Sequence, residues 1–328
     1  MQEMPVIELN NGVKIPSIGF GPGICGYKPN SYKFMLKAIP QITHKKTLMQ
    51  RAVDSVINKL KWEIDAFALK GEKRKYIEAI VNGFEAGFRL LDFSAAYGNE
   101  RLIGQAIKKC GVPRENLFLT TRVSNTQQLK GSIREEFMRT LEHYQTNNVD
   151  LYMFHWPVSE KERYYYLDTY KQMEQLYKEG YCKAIGVANC HRHHLEEILK
   201  IADIVPQINQ FEVHPLFTQK PLIEYCKLKN IIVEAYTPIA RFDDRLIRLP
   251  ALNTIAAKYN KTAVQIVLRW HIQCGVIPVV RSLNKERQAE NISVFDFELT
   301  GEEIKTIDGF NINSRLRYDP DNCDFSIL

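Results

Sequence analysis

The fold is decided by residues 150–211, which read DLYMFHWPVSEKERYYYLDTYKQMEQLYKEGYCKAIGVANCHRHHLEEILKIADIVPQINQF. Three short runs in this stretch are rich in β-branched or aromatic residues and are bounded by Gly, Pro or polar residues, as buried strands are. These runs are Asp150–His155, Ala184–Val187 and Gln207–Phe211. Helical patterns lie between them at Thr169–Lys178 and His194–Ile201. The alternation of strand and helix indicates parallel β/α units.

The same alternation extends over the rest of the chain. The other strand candidates are Ser17–Phe20, Phe88–Asp92, Leu117–Thr121, Ile231–Tyr236 and Val276–Val280. The other helical stretches are Glu78–Ala86, Gly131–Tyr144 and Ala263–His271. Eight strands that alternate with helices predict an α/β fold of the (β/α)8, or TIM-barrel, type. A doubly wound sheet is the main alternative, since it can be built from the same alternation.

The composition is that of an ordinary globular protein, with 45% hydrophobic and 25% charged residues, and one barrel domain over residues 1–328 accounts for the length. No apolar run reaches the ~18 residues of a membrane helix, and Met1 to Gly12 lack the pattern of a signal peptide. Seven cysteines, an odd number without a C-x-x-C pair, predict reduced thiols and hence the cytoplasm. The formal net charge of +6 is too small to indicate nucleic-acid binding.

Polar side chains end or follow the predicted strands, where a barrel carries its chemistry. From the second strand to the eighth they are Asp92, Tyr97, Arg122, His155, Asn189, Gln210, Tyr236, Arg281 and Ser282. Because the carboxyl ends of parallel barrel strands open at one face, we expect these side chains to form one active site.

Six motifs resemble the aldo-keto reductases. They are Leu91–Glu100 (LDFSAAYGNE), Tyr152–Pro157 (YMFHWP), Ala184–Asn189 (AIGVAN), Asn209–Pro215 (NQFEVHP), Ala235–Pro238 (AYTP) and Arg281–Asn291 (RSLNKERQAEN). Glu8–Pro16 is similar to the hairpin that closes the barrel bottom in that family, and Leu316–Asn322 to the tail of its short, prokaryotic-type, diketogluconate-reductase-like members. The resemblance implies a TIM barrel with an N-terminal β-hairpin. It also implies an NADPH-dependent oxidoreductase that reduces a small aldehyde or ketone to an alcohol.

The family's catalytic tetrad of Asp, Tyr, Lys and His matches Asp92, Tyr97 and His155, with Arg122 where Lys is expected. Carbonyl reduction needs a proton donor at the oxygen, and a phenol of pKa ~10 needs a nearby cation to favour its phenolate. Tyr97 would be the acid, and Arg122, positioned by Asp92, the cation. His155 would orient the carbonyl. Arg122 is a departure, because a guanidinium supplies charge but does not share a proton as an ammonium can.

The resemblance places the cofactor along the later strands. The amides of Asn189 and Gln210 would bind the nicotinamide carboxamide, and Tyr236 offers a ring face to the nicotinamide. Ala188 stands where the family usually has Ser, so one hydrogen bond is expected to be missing. The adenosine end matches Arg281, Ser282, Arg287 and Asn291. Two guanidinium groups suit a 2′-phosphate, which favours NADPH over NADH.

An insertion at residues 24–72 follows the first strand, where the family has a short connection. Residues 25–75 contain 12 Lys or Arg and 4 Asp or Glu, so the excess positive charge of the chain lies here. An apolar stripe with steps of three or four predicts an amphipathic helix, and comprises Met49, Val53, Val56, Leu60, Ile64 and Phe67. Two interpretations stay open: a helix packed on the barrel side, or a basic lid that attracts an anionic substrate.

Two further motifs do not indicate a binding site. Gly19–Gly23 lacks the third spaced glycine of a dinucleotide loop, and Cys190–His194 does not have zinc-ligand spacing, so no metal is expected. A cofactor-binding regulatory barrel subunit is the alternative to an enzyme, because Arg122 and Ala188 depart from the family pattern. A phosphate-binding barrel of unrelated chemistry would not need Asp92, Tyr97 and His155 together.

Overall fold

An antiparallel hairpin closes one end of the barrel. The computed structural model describes residues 4–25, 71–159, 163–323 and 325. Strands β1 (Val6–Glu8) and β2 (Lys14–Pro16) form the hairpin. Leu9 and Ile15 from the hairpin are buried with Leu90, Phe118 and Leu151 in one apolar cluster at the start of the barrel strands. The predicted N-terminal hairpin is therefore confirmed.

Eight parallel strands close into a barrel in the order β10-β3-β4-β5-β6-β7-β8-β9. They are β3 (Gly19–Phe20), β4 (Leu90–Asp92), β5 (Phe118–Val123), β6 (Val149–Phe154), β7 (Cys182–Ala188), β8 (Ile208–Glu212), β9 (Ile232–Tyr236) and β10 (Val276–Val280). Each predicted strand overlaps one of these, so the (β/α)8 barrel is confirmed and the doubly wound sheet is excluded.

Helices surround the barrel. They are α1 (71–86), α2 (Glu100–Cys110), α3 (Asn125–Lys130), α4 (Arg134–Tyr144), α5 (Tyr165–Lys178), α6 (Arg192–Ile201), α7 (Lys220–Leu228), α8 (Asp244–Ile247), α9 (Pro250–Lys258), α10 (Ala263–Gln273), α11 (Lys285–Ile292) and α12 (Gly301–Asp308). Short 3₁₀ helices occur at Ala95–Tyr97, Arg114–Asn116 and Ala240–Phe242. None of the helices in the described ranges is long and apolar enough to span a membrane.

One predicted helix begins later than expected. Gly131, taken from sequence as the first residue of a helix, adopts φ 76° and ends α3. This left-handed conformation suits glycine and terminates helices, so α4 begins only at Arg134. The predicted amphipathic helix with its stripe from Met49 to Phe67 lies outside the described residues.

The barrel interior changes from apolar to charged along its axis. Side chains of a strand alternate between its two faces, so residues two apart share a face. Leu90 is therefore followed on the same face by Asp92, Ile208 by Gln210, and Ile232 by Glu234. The apolar members lie in the cluster next to the hairpin. The polar ones are buried in the next layer, towards the carboxyl ends of the strands.

Candidate active site

A buried ion pair joins two neighbouring strands at this polar layer. Nη2 of Arg122 donates to Oδ1 of Asp92, and its Nη1 donates to the carbonyl oxygen of Phe93 at 2.8 Å. Arg122 is 1% exposed and Asp92 7%. Burial lowers the pKa of Arg122, but the negative charge of Asp92 outweighs it and raises that pKa overall. Arg122 lies within β5 rather than after it, because the strand continues to Val123.

Gln210 connects this ion pair to a second buried acid, Glu234. Its Oε1 accepts from Nη2 of Arg122 at 2.6 Å, and its Nε2 donates to Oδ1 of Asp92 at 3.2 Å and to Oε2 of Glu234 at 2.8 Å. Gln210 and Glu234 are register partners on β8 and β9, which explains their contact. The amide of Gln210, predicted to bind the cofactor carboxamide, thus has three ionisable side chains of the barrel as partners.

Glu234 was missed by the sequence analysis. Burial, followed by the negative charge of Asp92, raises the pKa of Glu234 to about 8, against the opposing effects of Gln210 and Arg122. The Glu234 carboxyl therefore holds a proton at neutral pH. One signal for it was available, since an acidic residue in the middle of a buried strand is rare unless it is paired or functional.

Tyr97 and His155 lie side by side beyond the ion pair. Their ring centroids are 5.8 Å apart, and Oγ of Ser94 is 3.3 Å from Nδ1 of His155. Burial raises the pKa of Tyr97, and the positive charge of Arg122 opposes this effect. Burial, then the charges of Arg122 and Arg317, lower the pKa of His155 to about 3. At neutral pH the phenol therefore carries its proton and the imidazole is uncharged.

Asn189 links His155 to Tyr236. Its Nδ2 donates to the carbonyl oxygen of His155 at 2.9 Å, and its Oδ1 accepts from the hydroxyl of Tyr236 at 2.7 Å. Asn189 follows β7 with φ 60°, a left-handed conformation that Asn tolerates better than most residues. Its backbone N–H donates to the carbonyl oxygen of Gln210 at 2.8 Å. The fold thus brings the predicted carboxamide and nicotinamide residues next to the predicted catalytic ones.

The residues predicted to bind the adenosine end of the cofactor lie at the end of β10 and in α11. Nε of Arg281 donates to the carbonyl oxygen of Pro22 at 3.1 Å. Ser282 and Arg287 flank the N-cap residue of α11, and Asn291 is buried in that helix. Arg281 and Arg287 are both exposed at the surface. Burial raises the pKa of Tyr97, and the positive charge of Arg281 opposes this rise less than that of Arg122 does.

The C-terminal tail adds a residue that the sequence analysis did not select. The buried carboxylate of Glu212 accepts from the backbone N–H groups of Leu316 at 2.6 Å and Arg317 at 2.9 Å. This contact holds the tail at the carboxyl end of β8. Burial dominates the pKa values of Tyr97 and His155, and the Arg317 charge opposes the rise in the first and adds to the fall in the second. The tail therefore places a cation within electrostatic reach of the site.

Comparison with known proteins identifies the family to which this chain belongs. The model of the aldo/keto reductase family matches residues 65–312. The chain therefore belongs to the aldo/keto reductase family of oxidoreductases. A Trypanosoma cruzi protein named 9,11-endoperoxide prostaglandin H2 reductase is 42% identical over 239 residues, 73% of this chain and 83% of its own. The glyoxal reductase of Bacillus subtilis is 41% identical over 248 residues, 76% of this chain and 88% of its own.

Solved structures of the same family superimpose on this chain. An aldo-keto reductase from a Medee basin deep-sea metagenome library has a TM-score of 0.78 at 32% identity, over 97% of this chain and 99% of that one. A Bombyx mori aldo-keto reductase in complex with NADP has a TM-score of 0.75 at 29% identity, over 98% of this chain and 97% of that one.

Glu234→Gln should change how stability depends on pH. A carboxyl that keeps its proton to about pH 8 when folded, but ionises near pH ~4.3 when unfolded, loses stability as pH rises between these values. From pH 5 to pH 8 the wild type should lose about 3–4 kcal/mol relative to Glu234→Gln. Denaturant midpoints at several pH values measure this difference.

Glu303→Gln is the control. Burial would raise the pKa of Glu303, but the hydrogen bonds from Lys258 and Tyr259 outweigh it and lower that pKa to about 2, so the carboxylate stays ionised over this range. Its stability difference from wild type should be constant from pH 5 to pH 8 and change only at lower pH. A flat difference for Glu234→Gln as well would contradict a protonated Glu234.

Proposed function

We propose that this protein reduces a small aldehyde or ketone to an alcohol with NADPH as the hydride donor. The observation that supports this most directly is the convergence of Tyr97, His155 and the buried Arg122–Asp92 ion pair at one end of the barrel. It joins a protonated phenol, a neutral imidazole and a fixed cation, the groups that polarise and protonate a carbonyl oxygen.

Tyr97 is the proton donor in this mechanism. The bound carbonyl oxygen accepts hydrogen bonds from the Tyr97 hydroxyl and from His155, which is neutral and can therefore donate through one ring nitrogen. As charge develops on the oxygen, the Tyr97 proton moves to it. Arg122 stabilises the phenolate left behind, because its charge opposes the rise that burial causes in the pKa of Tyr97. A guanidinium retains its own protons, so Arg122 acts through its charge alone.

The polar groups of the site fit a dinucleotide. NADPH supplies a hydride when it is bound. Asn189 and Tyr236 lie beside His155, where an amide and an aromatic ring can hold the nicotinamide. Arg281 and Arg287 at the start of α11 offer two exposed guanidinium groups to a 2′-phosphate. The NADP complex of the Bombyx mori relative supports the same class of cofactor.

An anionic carbonyl compound is the substrate class that the tail favours. Arg317 is half-buried and acts electrostatically on Tyr97, His155 and Tyr236. A cation near a carbonyl-binding site raises the local concentration of negatively charged substrates. The Bacillus subtilis relative named glyoxal reductase supports small carbonyl compounds in general.

The alternative to an enzyme is a regulatory barrel subunit. A regulatory subunit would bind NADPH without turnover. The arginine at position 122, where the family has lysine, is the reason to test for this behaviour.

A cytoplasmic location is supported by the seven cysteines, all of which are free thiols, since an oxidising compartment would favour disulfides.

Tyr97→Phe should retain NADPH binding and lose at least ~10²-fold in kcat, because general acid catalysis contributes about 10²–10⁴-fold. Tyr164→Phe, on an exposed tyrosine, is the matched control and should leave kcat unchanged. NADPH oxidation with a panel of aldehydes and ketones measures the first effect, and fluorescence titration measures binding. Near-normal kcat in Tyr97→Phe would refute the role of Tyr97. Wild-type binding without turnover would favour the regulatory subunit.

Replacing both Arg281 and Arg287 by Ala should weaken NADPH binding at least ~10-fold more than NADH binding, since a charge-assisted hydrogen bond contributes about 1.5–3 kcal/mol. Lys285→Ala is the matched control, because this cation of the same helical turn pairs with Glu85 at 2.9 Å. Dissociation constants from fluorescence titration decide the outcome. Equal losses for both cofactors would exclude a 2′-phosphate site at these residues.

Arg317→Ala should lower kcat/KM about 10-fold more for carboxylated aldehydes than for neutral ones, because steering acts on charge and any effect through Tyr97 or His155 is common to both. The wild-type preference should weaken with added salt, whose screening length is about 8 Å at physiological ionic strength. Arg134→Ala removes the same charge from a pair with Glu179 and should change neither substrate. An unchanged ratio of anionic to neutral kcat/KM in Arg317→Ala would exclude an anionic preference that depends on the tail.

A further inference from the structure

Three histidines and one aspartate meet outside the carbonyl-binding site. His191, His193 and His194 lie at the start of α6, and Asp321 comes from the C-terminal tail. One potential metal-ligand atom from each of the four residues lies within 4.8 Å of the others. His191 is the N-cap residue of α6, and the three rings surround the Asp321 carboxylate. Imidazole nitrogen and carboxylate oxygen are ligands that zinc accepts in proteins.

The distances from Asp321 match those between ligands of one metal ion. Its Oδ2 is 2.9 Å from Nδ1 of His191, and its Oδ1 is 3.1 Å from Nε2 of His193 and 3.5 Å from Nε2 of His194. Tetrahedral zinc with metal–ligand bonds of ~2.0–2.1 Å separates its ligand atoms by ~3.4 Å. The carboxylate therefore lies near ligand–ligand distance from all three rings through its two oxygens, Oδ2 towards His191 and Oδ1 towards His193 and His194, and closing the site requires the imidazole nitrogens to converge on one ion beside it.

We propose that His191, His193, His194 and Asp321 form a binding site for a divalent transition-metal ion of the Zn²⁺ class. His193 and Asp321 are 57% and 39% exposed at their side chains, which leaves a path for the ion, while His194 is 8% exposed and fixes the inner side of the site. Two nitrogens or more with a carboxylate favour zinc and its neighbours over Mg²⁺ or Ca²⁺, which prefer oxygen ligands.

Metal binding rearranges two hydrogen bonds. Nδ1 of His194 accepts from the backbone N–H of His191 at 3.1 Å, so coordination through Nε2 requires that contact to be released. Nε2 of His191 lies 3.3 Å from Nη2 of Arg315, and coordination through Nδ1 would turn Nε2 into a donor. Arg315 has other partners available, because its guanidinium stacks over Phe217 and lies 3.8 Å from Asp319.

A bound metal ion would attach the C-terminal tail to the rest of the protein at a second point. Glu212 already holds the backbone of Leu316 and Arg317. A metal ion at Asp321 would fasten the tail to α6 a few residues further on. The sequence motif Cys190–His194 predicted no metal, because its spacing is too tight for a zinc site by itself. The fold supplies the missing carboxylate from far along the chain, whereas Cys190 is buried and does not belong to the group.

The test is a Co²⁺ titration of the full-length, tag-free protein after treatment with a chelator. Co²⁺ reports tetrahedral nitrogen and oxygen coordination by its visible absorption, and Zn²⁺ should displace it. We expect one Co²⁺ per chain, and affinity lowered by more than about 100-fold in His193→Asn and in Asp321→Asn, since even partners behind the ligands are worth 10–100-fold. Glu196→Gln, an exposed carboxylate of α6 paired with Arg192, is the matched control and should bind as wild type does.

Circular dichroism and thermal unfolding in the presence of chelator verify that both variants fold, and both side chains are exposed enough for this to be expected. Zn²⁺ should raise the melting temperature of wild type and of Glu196→Gln, but not that of the two site variants. Co²⁺ binding that persists in both site variants, or that shows sulfur-to-cobalt charge transfer from a cysteine, overturns the proposal. So does the absence of stoichiometric binding, which would make the cluster an ion-paired cap of α6.

Discussion

The buried ion pair between Arg122 and Asp92 is the constraint on which the rest of the site depends. A charge at this depth is tolerated only with its partner, and removing one member of such a pair typically costs about 3–5 kcal/mol. Gln210 lies between the ion pair and Glu234. Its amide oxygen accepts from Arg122, and its amide nitrogen donates to Asp92 and Glu234. The positive charge that Tyr97 experiences is therefore held in place by residues of three other strands and of the loop after β4.

The hydrogen-bond network around Arg122 suits a guanidinium at this position, where a lysine is expected. A guanidinium is larger than an ammonium and has several donors in fixed directions. Here two of its nitrogens are engaged by Asp92, Phe93 and Gln210. The protonated state of Glu234 limits the negative charge around Arg122 to Asp92 alone, so the layer stays close to neutral. Arg122 and Glu234 are thus two parts of one electrostatic arrangement.

The tail extends the site beyond the barrel. Glu212 attaches it through backbone N–H groups, and Arg315 and Asp321 of the tail then contact His191 at the start of α6. A loop-like segment of this kind can change its side chains without disturbing the barrel. The two proposed tasks of the molecule are thus separate: the strands hold the groups proposed for carbonyl reduction, and the tail carries the proposed substrate cation and metal ligand.

The amino-acid sequence by itself determined the barrel, the hairpin and the strand ends that carry Asp92, Tyr97, His155 and Asn189, because strand periodicity and motif order are local properties of the chain. It did not determine that Gln210 faces Arg122, that Glu234 is protonated, or that Asp321 meets three histidines of α6. Those features depend on which side chains of distant segments share one buried layer or one surface, and on the burial that shifts their pKa values. The closed barrel and the path of its tail decide which distant side chains meet and how deeply they are buried. Neither property is encoded in any single stretch of residues.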